Sequence, residues 1–223
     1  MRQLSIIFLF IFILITSAFS PAFSAIKGKL EYTIPVDYSK INEQETAKVA
    51  KEYYFNAEKL QDNVLNNDMT NALVLYGILQ KVNPENIEYP IRLGILYDKI
   101  GKDRQAKGNF SKAICINNLS PAPYFHFGNF YYKRESYRKA LKYYSESYKK
   151  GLKTDYELLS KMGDIYEKFG DSRSALKYLK EAQIQNPTPE LENKIKQVEM
   201  QDSINKEYYS DTRIRGWVGR IEV

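Results

Sequence analysis

The residues best suited to chemistry in this chain cluster in one stretch. "YFHFGNFYYKRESYRKALKYY", at 124–144, alternates ten aromatic rings, the lone histidine included, with Lys and Arg. Such a run can stack nucleic-acid bases, face a glycan, or form the inside of a repeat, and spacing decides among these. Catalysis has little to work with. His126 is the only histidine and Cys115 the only cysteine, so there is no Cys/His set for zinc and no internal disulfide. No glycine-rich phosphate loop and no nucleophile-elbow pattern is present. Carboxylates are plentiful but form no distinctive pair. The expectation is a protein without catalytic activity, cofactor or metal.

The elements that position these residues are helical. Glycine (11) and proline (8) are scarce in 223 residues, which disfavours a many-turned β-sandwich and suits long helices. The apolar fraction of 43% is enough for a packed core. A formal charge of +6 arises from 33 basic and 27 acidic residues. Mixed charge of that kind reads as solvated surface, so nucleic acid is not expected as a partner. At the N-terminus, Arg2 precedes an apolar run from Ile6 to Ile15, and Ala22 and Ser24 stand where a signal peptidase needs small residues. The run is shorter than the roughly 18–20 residues of a spanning helix. Residues 1–24 therefore read as a signal peptide cleaved after Ser24, giving a periplasmic or secreted protein. An uncleaved segment that associates with the membrane is the alternative.

The chain then repeats itself. Segments starting at Ile87, Pro121 and Tyr156 carry Leu93–Gly94, Phe127–Gly128 and Met162–Gly163 at matching positions, 34 and 35 residues apart. Three residues after each glycine comes Tyr97, Tyr131 or Tyr166, and twelve after it Ala106, Ala140 or Ala175. Phe110, Tyr144 and Leu179 follow, then Ala113, Ser147 and Ala182, and Pro187 closes the third unit. Tyr124, Phe127, Gly128 and Tyr131 share one helix face. Glycine within a helix costs roughly 1 kcal/mol relative to alanine, so its recurrence implies a closely packed partner helix. On these positions the chain resembles the tetratricopeptide repeat (TPR) family. The resemblance implies an all-α fold: a right-handed α-solenoid of helix-turn-helix repeats with a C-terminal capping helix.

The expected organisation is a lead-in at 25–41, extended in form, and a solenoid at 42–206. The solenoid divides into a degenerate repeat at 50–86, repeats at 87–120, 121–155 and 156–187, and a capping helix at 188–206. In the degenerate repeat Ala57 replaces the glycine, the turn is about three residues longer, and Ala72, Tyr76 and Leu79 point inward. Asn42 followed by Glu45 predicts an N-cap. Leu191, Ile195 and Val198 make one apolar face on the capping helix. Residues 207–223 form a basic tail with Arg213, Arg215, Trp217 and Arg220.

In the resembled family the first helix of each pair lines a concave groove that binds a protein or peptide. Carried over by position, the groove residues are Ile91, Arg92, Ile95, Asp98 and Lys99, then Phe125, His126, Asn129, Tyr132 and Lys133. Lys161, Asp164 and Lys168 complete the set. Asn129 matches an asparagine that bonds ligand backbone in the family. Phe125 and Glu157 stand where the chaperone-binding branch has lysines, so its carboxylate clamp is not expected. Of the opening stretch, Tyr124, Phe127, Tyr131, Tyr137 and Tyr144 are expected in the core, with Phe125, His126, Asn129 and Tyr132 in the groove. Cys115, between Ile114 and Ile116, is expected to be a buried or half-buried small hydrophobe. The implied function is a non-catalytic scaffold for a protein partner in cell-envelope assembly, export or maintenance. The alternatives are a glycan or membrane-surface binder using the tail, and a helical-repeat nucleic-acid binder.

Overall fold

The computed structural model describes residues 37–62 and 65–218, with side chains as far as Tyr208. The predicted signal peptide, most of the lead-in and the end of the tail lie outside the described residues. Of the lead-in, only a 3-10 turn at Tyr38–Lys40 falls within them. The described residues from Ile41 onward form one compact unit.

Nine helices follow, and no strand occurs among the described residues. They are α1 (Glu43–Glu58), α2 (Asn67–Val82), α3 (Glu88–Lys99), α4 (Asp103–Ile116), α5 (Ala122–Tyr132), α6 (Tyr137–Lys149), α7 (Tyr156–Lys168), α8 (Ser172–Gln185) and α9 (Pro189–Val218). The odd-numbered helices from α1 to α7 are the first helices of antiparallel pairs, and α2 to α8 are the second. Each pair packs on the next, and α1, α3 and α5 also touch in succession. The result is an α-solenoid of helical repeats.

Local chemistry sets the helix starts. Asn42 accepts hydrogen bonds from the backbone N–H groups of Gln44 and Glu45, and Asn66, Asp155 and Asp171 do the same work at α2, α7 and α8. The turns within pairs are equally regular. Gly101, Glu135 and Gly170 lie at the same repeat position with φ of 70°, 54° and 74°. The next residue in each case, Lys102, Ser136 or Asp171, donates its N–H to Tyr97, Tyr131 or Tyr166. This is the left-handed cap that ends a helix and reverses the chain. Glu135 alone meets the requirement without being glycine.

Within each pair the helices approach over the recurrent glycine. A Cβ added at Gly94 would stand 2.6 Å from the Phe110 ring, and one at Gly163 2.6 Å from Leu179. Gly128 is pressed closer still against Tyr144. In the first pair Ala57 is fully buried, as are Ala72, Tyr76 and Leu79. That pair spans Glu43–Val82, earlier than the expected start at residue 50, because Asn42 caps α1 at its true beginning.

The last helix corrects the sequence reading. It does not stop at residue 206 but continues to Val218, through much of the predicted tail. Its first half is a first helix in disguise. Leu191, Lys194, Ile195 and Val198 repeat Leu158, Lys161, Met162 and Ile165 in 33-residue register. Leu191, Ile195 and Val198 are buried with Leu159, Ala175, Leu179 and Ala182. Where α7 turns Leu159, Gly163 and Tyr166 toward its partner helix, α9 carries Glu192, Lys196 and Glu199. Glu192 pairs with Lys196, and Glu199 with Lys180 of α8. Charge there ends the stack. No helix among the described residues is long and apolar enough to cross a membrane.

Candidate functional site

Four of the expected positions are corrected. Phe125 and Ile91, expected in the groove, are buried at 9% and 6% exposure. Phe125 packs with Ala140, Tyr144, Leu158, Met162 and Ile165, between α5, α6 and α7. A first helix inside a solenoid has its own partner on one side and the next repeat on the other. Its buried stripe is therefore wider than the single face that one partner would require. Tyr124, expected in the core, is half-buried; its hydroxyl donates to the Asn118 carbonyl and Lys150 lies over its ring. Cys115 is exposed, since α4 turns Ala113 inward and the residue two further on outward. Phe127 and Tyr144 are buried, and Tyr131 and Tyr137 are partly buried against the core.

The remaining candidates form a ladder that crosses the first helices. Arg92, His126, Lys161 and Lys194 hold one repeat position on α3, α5, α7 and α9. Ile95, Asn129 and Asp164 hold the position one turn further along the preceding helix. The Lys161 ammonium donates to Asn129 Oδ1 at 2.9 Å and to Glu157 at 2.5 Å. Lys194 makes the equivalent bond to Asp164 and a second ion pair with Glu167 at 3.2 Å. Burial works against the Lys194 charge, but Asp164 and Glu167 outweigh it and raise its pKa. Arg92 lies 4.5 Å from the Tyr54 ring centre and pairs with Glu88 at 3.4 Å.

The ladder breaks at His126. The acceptor position before it is Ile95, which offers nothing to bond. No hydrogen bond to His126 occurs among the described residues; its ring packs edge-on against Phe125 at 5.3 Å. Burial, with Arg92 and Lys161 nearby, lowers its pKa from 6.5 to about 4, so the ring is neutral at pH 7. Asn129, expected to bond a ligand backbone, is engaged within the protein. Its amide oxygen accepts from Tyr144 Oη at 2.7 Å as well as from Lys161.

A second set of bonds lies near the turns. Lys99 donates to the Glu58 carbonyl at 2.9 Å and pairs with Asp62 at 3.6 Å. Lys133 bridges Asp98 at 3.3 Å and Asp62 at 3.8 Å. Arg134 binds Asp98 at 2.6 Å and both oxygens of Asp103, with its guanidinium over the Phe130 ring. Neither Arg134 nor Lys194 was among the residues expected from sequence. The 33-residue register from Lys161 is the signal that points to Lys194.

Where α5, α7 and α9 meet, Tyr132, Asp164, Glu167, Lys168 and Lys194 line a cleft of about 460 Å³. The Tyr132 hydroxyl donates to Asp164 at 3.1 Å, and Lys168 lies over the Tyr137 ring. Burial and the adjacent Asp164 raise the Tyr132 pKa, so the hydroxyl keeps its proton and acts as a donor. A larger hollow of about 660 Å³ is lined by Pro84, Glu85, Asn86, Ile87, Ile116 and Asn117 in the inter-repeat loops, with a single charge. Charges of both signs converge only in the first of the two. No group of three His, Cys, Asp or Glu among the described residues is placed to hold a metal ion.

No family model and no curated protein matches the chain. Solved structures do. One is TTC0263, a thermophilic TPR protein of Thermus thermophilus, 18% identical, with a TM-score of 0.53 over 72% of this chain and 82% of that one. Another is PilW, a type IV pilus biogenesis factor, 19% identical, with a TM-score of 0.55 over 65% of this chain and 62% of that one. A third is pilF of Pseudomonas aeruginosa, 13% identical, with a TM-score of 0.58 over 74% of this chain and 76% of that one. Identity at this level speaks for fold. The 34-residue spacing, the recurrent left-handed turn and these likenesses agree that the chain folds as an array of tetratricopeptide repeats.

Proposed function

We propose that this protein is a non-catalytic scaffold that holds a segment of a protein partner on its first-helix face. The observation that carries the reading is the cleft at Tyr132, Asp164, Glu167, Lys168 and Lys194. There a polar hydroxyl and charges of both signs converge between two successive repeats and the capping helix. Such a site suits a peptide backbone flanked by charged side chains. His126 and Ile95 extend it as a neutral step where the ladder is interrupted. The work is placed in the cell envelope, with export directed by residues 1–24; the apolar run from Ile6 to Ile15 supports this. The likeness of fold to a type IV pilus biogenesis factor supports an assembly role. Catalysis, a cofactor and nucleic acid have no part in the proposed role.

Site-specific photocrosslinking in the native envelope tests it. A crosslinking residue at Lys168 or His126 is expected to trap a discrete partner, and one at the exposed Lys142 of α6 is not. Crosslinks from Lys142 with none from the first-helix positions would reject the groove.

A further inference from the structure

The two helices of a repeat carry very different charge. In the three regular repeats the first helices hold four Lys or Arg against five Asp or Glu. The second helices α4, α6 and α8 hold ten against three. All ten of those basic residues are exposed. Three of them, Arg104, Arg138 and Arg173, occupy one repeat position, the second residue of their helix. No side chain of the three makes a hydrogen bond or salt bridge among the described residues, unlike that of Arg134 close by.

Folding does not account for this column. A cation in the first turn of a helix opposes the helix dipole and costs a few tenths of a kcal/mol. The same cost recurs in three consecutive repeats without a compensating bond. We propose that the second-helix face of these repeats is a docking surface for an anionic lipid bilayer. A row of exposed cations with no partner of its own is complementary to a plane of negative headgroups, each residue adding roughly 1 kcal/mol near such a surface. Leu119, just after α4, and Ile184, near the end of α8, are both 76% exposed, and side chains of this kind enter the headgroup boundary readily. Nucleic acid fits less well. Tyr131 with Tyr143 and Tyr166 with Tyr178 are stacked on one another at 5.5 and 5.4 Å, so these rings are not free to take bases between them. The proposal concerns the opposite helices of the repeat and does not rest on the groove reading.

The test is sedimentation of the full chain with phosphatidylglycerol–phosphatidylcholine vesicles and with phosphatidylcholine vesicles. The neutral vesicles measure whatever residues 6–15 contribute. Binding is expected to be stronger to the anionic vesicles and to weaken as salt is raised. Arg104→Gln/Arg138→Gln/Arg173→Gln should bind the anionic vesicles on the order of a hundredfold more weakly. Lys48→Gln/Lys51→Gln/Lys59→Gln, on α1 and just after it, with the same change in net charge, should lose little. Circular dichroism of both variants checks that they are folded. Equal binding to both lipids overturns the proposal, as does equal loss in the two variants. Binding of an oligonucleotide that competes fully with the vesicles and needs the same arginines would reassign the surface to nucleic acid.

Discussion

The first and second helices of each repeat spend their charge differently. On the first helices nearly every candidate residue reaches across to another repeat: Lys161 to Asn129, Tyr132 to Asp164, Lys194 to Asp164, Lys133 to Asp98. On the second helices Arg104, Arg138 and Arg173 reach nothing. Charge that is bonded between repeats fixes the register of the array. Charge left unbonded contributes nothing to register and is available to a partner. The same residue types therefore play two roles, separated by which helix bears them.

Substitutions that cut between repeats should destabilise the array most. Phe125→Ala removes a ring buried between three helices and should cost about 3–5 kcal/mol in urea unfolding, whereas Tyr124→Ala, on a half-buried ring nearby, should cost under about 1 kcal/mol. Similar losses for the two would mean that α5 does not bury a second stripe. His126 gives the next effect. Its pKa is depressed in the fold, so the unfolded chain binds the extra proton first. Stability should be full above pH 6.5 and fall as pH drops from 6.5 toward about 4. His126→Gln should flatten that part of a pH–stability profile; an unchanged slope would place the titration elsewhere. Glu135→Gly should raise stability by about 1 kcal/mol, because the left-handed turn at φ 54° then matches its two glycine counterparts. Smallest is the ladder itself. A double-mutant cycle of Asp164→Asn and Lys194→Gln should give a coupling of about 0.5–1 kcal/mol, since both side chains are partly solvated. Coupling of zero would mean that this pair adds nothing to register.

The fold was legible because its requirements fall on residues with few substitutes. Gly94, Gly128 and Gly163 sit where a Cβ would strike the next helix, and Ala106, Ala140 and Ala175 are fully buried. Such positions recur in sequence because the geometry recurs. The site was less legible for two reasons. Phe125 and Ile91 lie on a second packing face that exists only once repeats stack, and helical periodicity within one repeat does not reveal it. Asn129 carries the chemistry of a ligand contact, yet its amide is taken by Tyr144 and by Lys161, 32 residues away. Pairing at that distance depends on how repeats align in space. The arginine column had the opposite fate, visible in the sequence at a fixed period but without meaning until exposure and the helix starts were known.

An array of identical modules has no natural length, because each new module offers the same sticky end as the one before. Here length is written into three residues. Glu192, Lys196 and Glu199 occupy the places where a fifth pair would need Leu, Gly and Tyr, and they convert an end that could propagate into one that cannot. Restoring the apolar residues at those places would give the chain an open terminus, and with it a tendency to join end to end into polymers.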